Sequence, residues 1–242
     1  MNTKSRHISI SGLSVEIVRK NIKNLHLGVY PPHGRVRVAT PLPVSDQAVR
    51  LAVIGKLGWI KRHQARFENQ PRQSFREMVN GETHYFLGRR LRLRVIESKG
   101  ASRVILKSPA KLELHVQANT SSTKREQLLN SWYRQQLQTR IVPLANKWEA
   151  IMDVQAAEWR IRKMKTKWGS CNIAARRIWL NLELAKKPVQ CLEYIIVHEL
   201  SHLIERHHND RFVAIMNKHL PQWRRYREEL NAAPLAQESW RY

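Results

Sequence analysis

The chain has few cysteines. Its 242 residues include only Cys171 and Cys191, and neither belongs to a C-x-x-C pair, so a disulfide framework and a zinc knuckle built from thiolates are not expected. Long apolar runs are also missing, because no stretch reaches the roughly 18 residues that cross a bilayer. The polar segment 1–6 is not followed by the apolar core of a signal peptide. These absences predict a cytoplasmic protein that makes no membrane contact.

Acidic residues are scarce as well. There are 19 of them against 43 basic residues, which gives a net charge of +24, and the excess is spread over both halves of the chain. Such a field attracts polyanions and makes their binding strongly dependent on salt. Basic and aromatic residues are interleaved in three segments, 59–63, 176–179 and 223–227. This pattern suits stacking on bases, but no sequence-specific motif occurs. It therefore favours non-specific contact with nucleic acid.

The most informative segment is His198-Glu199-Leu200-Ser201-His202, which follows an apolar run. Residues four apart lie on one face of a helix, about 6 Å apart along its axis, so both imidazoles can reach one metal ion. Glu199 then lies beside the metal and can take a proton from metal-bound water. The surrounding helix is apolar nearly all round, and two neutral histidines with a carboxylate inside it would be costly without a partner. A metal ion is such a partner.

A catalytic zinc site usually has three protein ligands and leaves the fourth position to water. His208 is the leading candidate for the third ligand, because the segment 208–210 reads as a helix stop followed by a new cap. It lies six residues after His202, the spacing of H-E-x-x-H-x-x-G-x-x-H enzymes, but the glycine of that motif is Glu205 here. Three alternatives therefore stay open: Glu205, His207 and Asp210.

The pattern of apolar residues predicts an α+β fold. Alternation indicates two groups of short strands in the N-terminal half, at 7–10, 14–18, 25–30 and 35–38, and at 92–96, 103–106 and 111–116. One helix capped by Ser45 is expected between the groups, up to residue 67. Arginines alternate with apolar residues in the second group, so one face of that sheet should be strongly cationic.

Helical periodicity dominates the second half. A helix is expected to start at a capping box, Thr123–Glu126, and to be kinked or interrupted at Pro143. Strands at 159–164 and 177–182 precede the metal helix, two further helices follow it at 210–218 and 222–231, and Trp168–Cys171 is expected to form a turn. The predicted domains are a β-rich region with a basic surface at 1–119 and a metallohydrolase domain at 120–242.

Four motifs carry a resemblance to a known family. They are Lys167-Trp168-Gly169-Ser170-Cys171, Ile178–Leu182, Val197–Leu203 and His208-Asn209-x-x-Phe212. Together they resemble the YgjP-like family, which is related to the SprT-like and minimal gluzincin metallopeptidases. The resemblance implies a zincin-like catalytic part that binds one Zn²⁺ per chain through His198, His202 and His208. It also implies that Glu199 is the general base. The family likewise lacks the glycine of the long motif, so Glu205 is no departure from it.

The predicted function is a zinc-dependent metallohydrolase, namely a metallopeptidase in which Glu199 activates zinc-bound water against a peptide or protein substrate. One alternative is a metal-dependent nucleotide phosphohydrolase of the nucleoside triphosphate pyrophosphatase type, although no P-loop is present. Another is a nucleic-acid-binding protein with a structural zinc. An open site with three ligands argues against this last alternative, because closed structural sites favour four ligands and thiolates.

Two further expectations concern the surroundings of the metal. The strand at 177–182 should offer a sheet edge with which an extended peptide can pair. Candidates for stabilising charge in the transition state are Arg211, His207, Tyr194 and Tyr226. Candidates for orienting the histidines are Asn181, Glu193 and Asp210.

Overall fold

The computed structural model describes residues 5–30, 34–69, 76–164 and 167–232. Its compact units are residues 1–73 and 74–242. This division differs from the predicted one near residue 119, because the second group of strands lies in the larger unit. The fold class is mixed α+β, as predicted, with three small sheets and six α-helices in the described ranges.

The smaller unit contains a four-stranded sheet of order β1-β2-β4-β3. Its strands are β1 (Ser5–Ile10), β2 (Leu13–Lys20), β3 (His26–Tyr30) and β4 (Arg35–Pro41). Val36 and Val38 of β4 are fully buried, while Arg35, Arg37 and Ala39 next to them are partly exposed, as alternation requires. Valines and isoleucines of the sheet and of the following helices form the core of this unit. All four strands predicted in this region are confirmed. The sequence also predicts a turn at Pro31-Pro32-His33-Gly34 between the last two strands, and residues 31–33 lie outside the described residues.

The helix predicted between Ser45 and residue 67 is two helices. They are α1 (Asp46–Ile54) and α2 (Leu57–Asn69). The predicted cap is confirmed, because the Ser45 hydroxyl accepts a hydrogen bond from the Ala48 amide at 3.2 Å. Gly55 ends α1, and its own amide donates to the Leu51 carbonyl. Glycine is a poor residue for a helix interior, which explains why the helix ends at this position.

The second sheet belongs to the larger unit and has the order β5-β6-β8-β7. Its strands are β5 (Thr83–Phe86), β6 (Arg89–Glu97), β7 (Arg103–Ser108) and β8 (Lys111–Val116). Three were predicted, whereas β5 was missed because it has only four residues. Leu91 and Leu93 of β6 point into the main core, and the arginines between and around them are exposed.

A 31-residue helix, α3 (Ser122–Met152), packs on this core through residues such as Ile141 and Ala145. The cap is Ser121, whose hydroxyl accepts from the Lys124 amide, and the prediction of a capping box at Thr123 was therefore wrong by two residues. Pro143 lies inside the helix without ending it. Pro143 and the residue four positions before it are exposed, so water can satisfy the carbonyl that the proline leaves without a donor.

The third sheet lies before the helices of the C-terminal part and has the order β10-β11-β9. Its strands are β9 (Glu158–Arg162), β10 (Gly169–Asn172) and β11 (Arg177–Asn181). β11 is the central strand, parallel to β9 and antiparallel to β10. Two predictions are corrected here. The segment Trp168–Cys171, expected to be a turn, contributes most of edge strand β10, and the strand at 177–182 is not an edge.

Helices complete the larger unit. A short 3-10 helix (Leu182–Lys186) leads to α4 (Val189–Ile204), α5 (Asp210–His219) and α6 (Trp223–Ala232). α4 is buried along nearly its whole length, as its apolar sequence predicts. It packs against α3, α5, α6 and strand β10, so any group that it carries is held on several sides. Among the described helices, none is both long and apolar enough to cross a membrane.

Candidate metal centre

Two histidines project from one face of α4. The ring centroids of His198 and His202 lie 5.0 Å apart, as the four-residue spacing predicts. The helix ends at Ile204, and Glu205 adopts an extended conformation while its amide still bonds to the Ser201 carbonyl. The end of the helix immediately after His202 lets the chain turn back toward the two imidazoles.

The returning chain brings His208 to the same place. Its Nε2 atom lies 3.1 Å from Nε2 of His198, and the candidate ligand atoms of His198, His202 and His208 all lie within 4.8 Å of one another. Asn209 then caps α5, with its side chain accepting a hydrogen bond from the Phe212 amide at 3.0 Å. The cap predicted at 208–210 is therefore confirmed, and it places His208 one residue before the capping residue of α5.

The other candidates for the third ligand lie outside this group. The Glu205 carboxylate accepts a hydrogen bond from the His207 amide at 3.0 Å and lies 3.9 Å from the Arg211 guanidinium. His207 and Asp210 do not belong to the cluster of metal-binding side chains found in the described part of the chain. The geometry thus favours His208 over the three alternatives that the sequence left open.

His198 and His202 are in the protonation state that zinc binding requires. His202 Nδ1 lies 3.2 Å from the Glu205 carbonyl oxygen, which can only accept, so Nδ1 carries the proton and Nε2 keeps a lone pair. Burial, reinforced by the neighbouring His202 and His208, lowers the pKa of His198 to about 3. Burial also lowers the pKa of His202. Both imidazoles are therefore neutral at physiological pH, which is the form that binds a metal ion.

The spacing of the nitrogens also suits such an ion. Tetrahedral zinc with bonds of 2.0–2.1 Å separates its nitrogen ligands by about 3.3 Å. The pair between His198 and His208 is at 3.1 Å, and the widest separation in the group stays within 4.8 Å. Small rotations of the side chains would bring all three nitrogens to one ion.

The ring of Phe212 contacts all three imidazoles. Its ring centroid lies 4.7 to 5.0 Å from those of His198, His202 and His208. The ring is buried, so it restricts the rotamers of all three histidines at once. In the sequence, Phe212 is part of one of the motifs that carry the family resemblance, but no role could be assigned to it. Its contact with the histidines depends on the turn between α4 and α5, which periodicity does not describe.

Glu199 is enclosed between α4 and β10. It is 4 % exposed, and burial raises the pKa of its carboxyl to about 8 against an opposing effect of Lys167. The space for the carboxylate exists because residue 169 is glycine. A Cβ atom built on Gly169 would lie 2.3 Å from Glu199 Oε1, much closer than any real contact of this kind. The sequence did not predict this contact, although both residues lie in motifs that it singled out.

A comparison with protein families identifies the chain. The family model described as YgjP-like, metallopeptidase domain, matches residues 23–233, which is most of the sequence. The chain belongs to the YgjP-like family. Membership supports a metal-dependent peptidase at the level of the family, with a divalent metal that is usually zinc, and so agrees with the three-histidine group.

Two solved structures of metallopeptidase zymogens are similar to parts of this YgjP-like chain. Abylysin of Pyrococcus abyssi is 21% identical, with a TM-score of 0.35, over 37% of this chain and 90% of its own. Jannalysin of Methanocaldococcus jannaschii is 20% identical, with a TM-score of 0.34, over 37% of this chain and 92% of its own. No curated protein matches the sequence.

Two of the three residues predicted to orient the histidines of the YgjP-like centre have other partners, and the third, Asp210, is the first residue of α5. The side chain of Asn181 forms hydrogen bonds with the backbone of Met164 and Lys167, two residues that precede β10. Glu193 accepts hydrogen bonds from Lys147 and from the Trp148 indole. The group that does orient a histidine is a backbone carbonyl, that of residue 205, and a carbonyl has no signature in the sequence.

Four residues were predicted as candidates for stabilising charge in the transition state. Of these, Tyr194 has a ring that contacts one of the three histidines. Its centroid lies 5.8 Å from that of His198, and burial raises its pKa to about 12, so its hydroxyl stays protonated. Tyr226 donates its hydroxyl to Gln222 instead, and Arg211 lies near Glu205. Among these four, Tyr194 is the candidate for which a ring contact with one of the three histidines is found in the described structure.

Cys171 lies in edge strand β10 and is half-buried rather than buried in a turn. Burial, with a contribution from the charge of Glu199, raises the pKa of its thiol to about 11. A thiol that stays protonated at neutral pH is a poor nucleophile. Cys171 is therefore not expected to act as a nucleophile.

Proposed function

We propose that this YgjP-like protein is a zinc metallopeptidase, with His198, His202 and His208 as metal ligands and Glu199 as general base. The observation that carries the proposal is the convergence of three imidazoles beside the helix that also bears Glu199. When bound there, zinc would supply a Lewis acid that polarises a carbonyl and makes water more acidic.

Glu199 would move the protons of the reaction. A metal cation beside Glu199 would favour the ionised form of its carboxyl despite the burial. That carboxylate would accept a proton from the attacking water and later donate it to the leaving amide nitrogen, which cannot depart as an anion. Burial between α4 and Gly169 keeps this carboxylate in one orientation and away from bulk water. A base held in this way needs little reorganisation before it acts.

Strand β10 would hold the substrate. One of its edges pairs with β11, and no described strand pairs with the other. An extended peptide can add to such an edge through main-chain hydrogen bonds, which place no demand on its sequence. Because Gly169 of β10 lies against Glu199, a peptide on this edge would bring an amide close to the general base. The prediction of a pairing edge near the metal is thus kept, but on β10 instead of β11.

The test is a pair of matched substitutions, Glu199→Gln and Glu205→Gln. Both remove one carboxylate near the histidines, but only Glu199 has the proposed chemical role. The first variant should bind zinc as the wild type does and hydrolyse peptides about 10²- to 10⁴-fold more slowly, the usual contribution of a general base. The second should keep its activity. Zinc content by mass spectrometry and cleavage of a mixed peptide library measure both.

Two outcomes would contradict the proposal. Full peptide hydrolysis by the Glu199→Gln variant would remove Glu199 from the mechanism. Hydrolysis of nucleoside triphosphates that depends on Glu199, without any cleavage of peptides, would replace the peptidase by the phosphohydrolase.

A further inference from the structure

The second sheet exposes a group of basic side chains on the face opposite its core. We call this group the basic sheet face; it consists of Arg90, Arg92, Arg94, Arg103 and Lys111. Cross-strand register places them on one side, since Arg92 is paired with Lys111, and Arg103 with His115 of the same strand β8. All four arginines are exposed, while Leu91 and Leu93 between them point into the core.

These charges are not used within the described structure. In the described ranges, none of the five forms an ion pair or a side-chain hydrogen bond with another residue. The acidic residue on this face is Glu113, which is 8 % exposed and lies 3.3 Å from His115 Nε2. One shielded carboxylate cannot neutralise five cations, so the face is strongly positive.

Arginines of the first sheet provide a contrast. Arg35 and Arg37 lie side by side on β4 and flank the buried Glu16, at 3.5 and 3.6 Å. Such pairs offset the charge of a carboxylate inside the protein. On the basic sheet face, Arg94 is the cross-strand partner of the buried Glu113 but forms no ion pair with it, and no carboxylate in the described residues pairs with the other four cations. Pairing with buried acids therefore does not explain why so many cations are collected there. Repulsion among them costs stability that an anionic partner would recover.

We propose that the basic sheet face binds the phosphate backbone of nucleic acid without reading its sequence. Guanidinium groups match phosphate geometry, and alternate residues of β6 present them about 6.7 Å apart in a straight row. Tyr85 is the cross-strand partner of Arg90 and is partly exposed, so an aromatic ring lies beside the row for a base to stack on. The inference does not depend on the metal centre.

The experiment uses the full-length protein and a fluorescent single-stranded DNA of about 16 nucleotides. Binding is measured by anisotropy over a range of salt concentrations. The test variant carries Arg92→Gln, Arg94→Gln and Arg103→Gln. The control carries Lys20→Gln, Lys23→Gln and Lys56→Gln, which are exposed residues of the other unit, lie outside the segments in which basic and aromatic residues are interleaved, and remove the same charge. A third variant, with lysine at the three arginine positions, keeps the charge of the face.

The test variant should lose three phosphate contacts. The slope of log K against log salt should then fall by about 2, and affinity at about 0.1 M salt should fall about a hundredfold. The control should stay close to the wild type, and the lysine variant should keep the salt slope of the wild type, because the slope counts charges. Circular dichroism should show the same fold for all, because exposed side chains without partners rarely support stability.

Three results would overturn the inference. Equal losses in the test variant and the control would show that binding depends on diffuse charge and not on this face. Binding that ignores salt would exclude phosphate contacts. Displacement of the DNA by polyglutamate of equal charge, at equal concentration, would assign the face to acidic polypeptides instead.

Discussion

At the scale of single residues, the centre depends on one position without a side chain. Gly169 has an ordinary backbone conformation, so alanine would be tolerated there by the backbone itself. The added methyl group, however, would lie 2.3 Å from Glu199 Oε1 and would have to displace the carboxylate. Contacts of this kind fix a general base in place, and a shift of about 1 Å can cost a hundredfold in rate.

Gly169→Ala should therefore lower peptide hydrolysis about a hundredfold and leave zinc content unchanged. Gly100→Ala is the matched control, because a Cβ at Gly100 would meet no heavy atom within 4 Å. Steady-state kinetics and metal analysis of both variants measure the effect. If Gly169→Ala kept the wild-type rate, the carboxylate would not be held by this contact.

The sequence predicted the single residues of the centre better than their surroundings. His198 and His202 follow from helical spacing alone, and His208 follows from a helix stop near the right position. Gly169 and Phe212 were not recognised as parts of the centre. Their contacts join segments that are far apart in the chain or separated by a turn, and a one-dimensional pattern carries no distance between such segments.

At the scale of elements, the cap of α5 connects stability to the metal. The Asn209 side chain accepts the Phe212 amide, and its neighbour His208 is fixed by the position at which α5 begins. Asn209→Ala should lower the free energy of unfolding by about 1 kcal/mol and weaken zinc binding as well. Urea unfolding and competition with a zinc chelator measure the two effects.

Asn209→Asp separates capping from other roles of this residue. Aspartate caps helices as well as asparagine does, so this variant should regain both the stability and the zinc affinity. Loss of stability with unchanged zinc affinity in Asn209→Ala would show that the cap does not position His208.

The prediction of helices and strands failed where strands are short or where a glycine or proline occurs in a helical stretch. β5 and β10 have four residues each, too few for alternation to distinguish a strand from a turn. One periodic stretch became α1 and α2, because a single glycine ended the first helix. Pro143 had the opposite outcome, since its exposed position lets the helix continue. Sheet pairing decided the outcome for the two short strands, and solvent contact decided it for Pro143; neither is visible in local sequence.

At the scale of the whole molecule, the sequence predicted the class of fold but divided the chain elsewhere. The change from strand-like to helical patterns near residue 119 suggested a boundary there. In the structure, the buried faces of β6 and β8 share a core with α3 and α4. A core that is shared in this way unites segments of different secondary structure, which composition along the chain cannot show.

The effect of zinc on hydrogen exchange can show which of the two divisions of the chain describes its folding units. A ligand that binds only the folded state stabilises it by about 2.7 kcal/mol at a concentration of 100 times Kd, which is a factor of about 100 in unfolding equilibrium. If residues 74–242 unfold as one unit, zinc should slow hydrogen exchange about a hundredfold in β6 and β8 as well as in α4. Exchange in β2 and β4, which belong to the other unit, should not change. Mass spectrometry of the exchanged peptides, with and without zinc, measures this. Protection confined to residues after 119 would instead support the boundary that the sequence suggested, since β6 and β8 would then open independently of the metal.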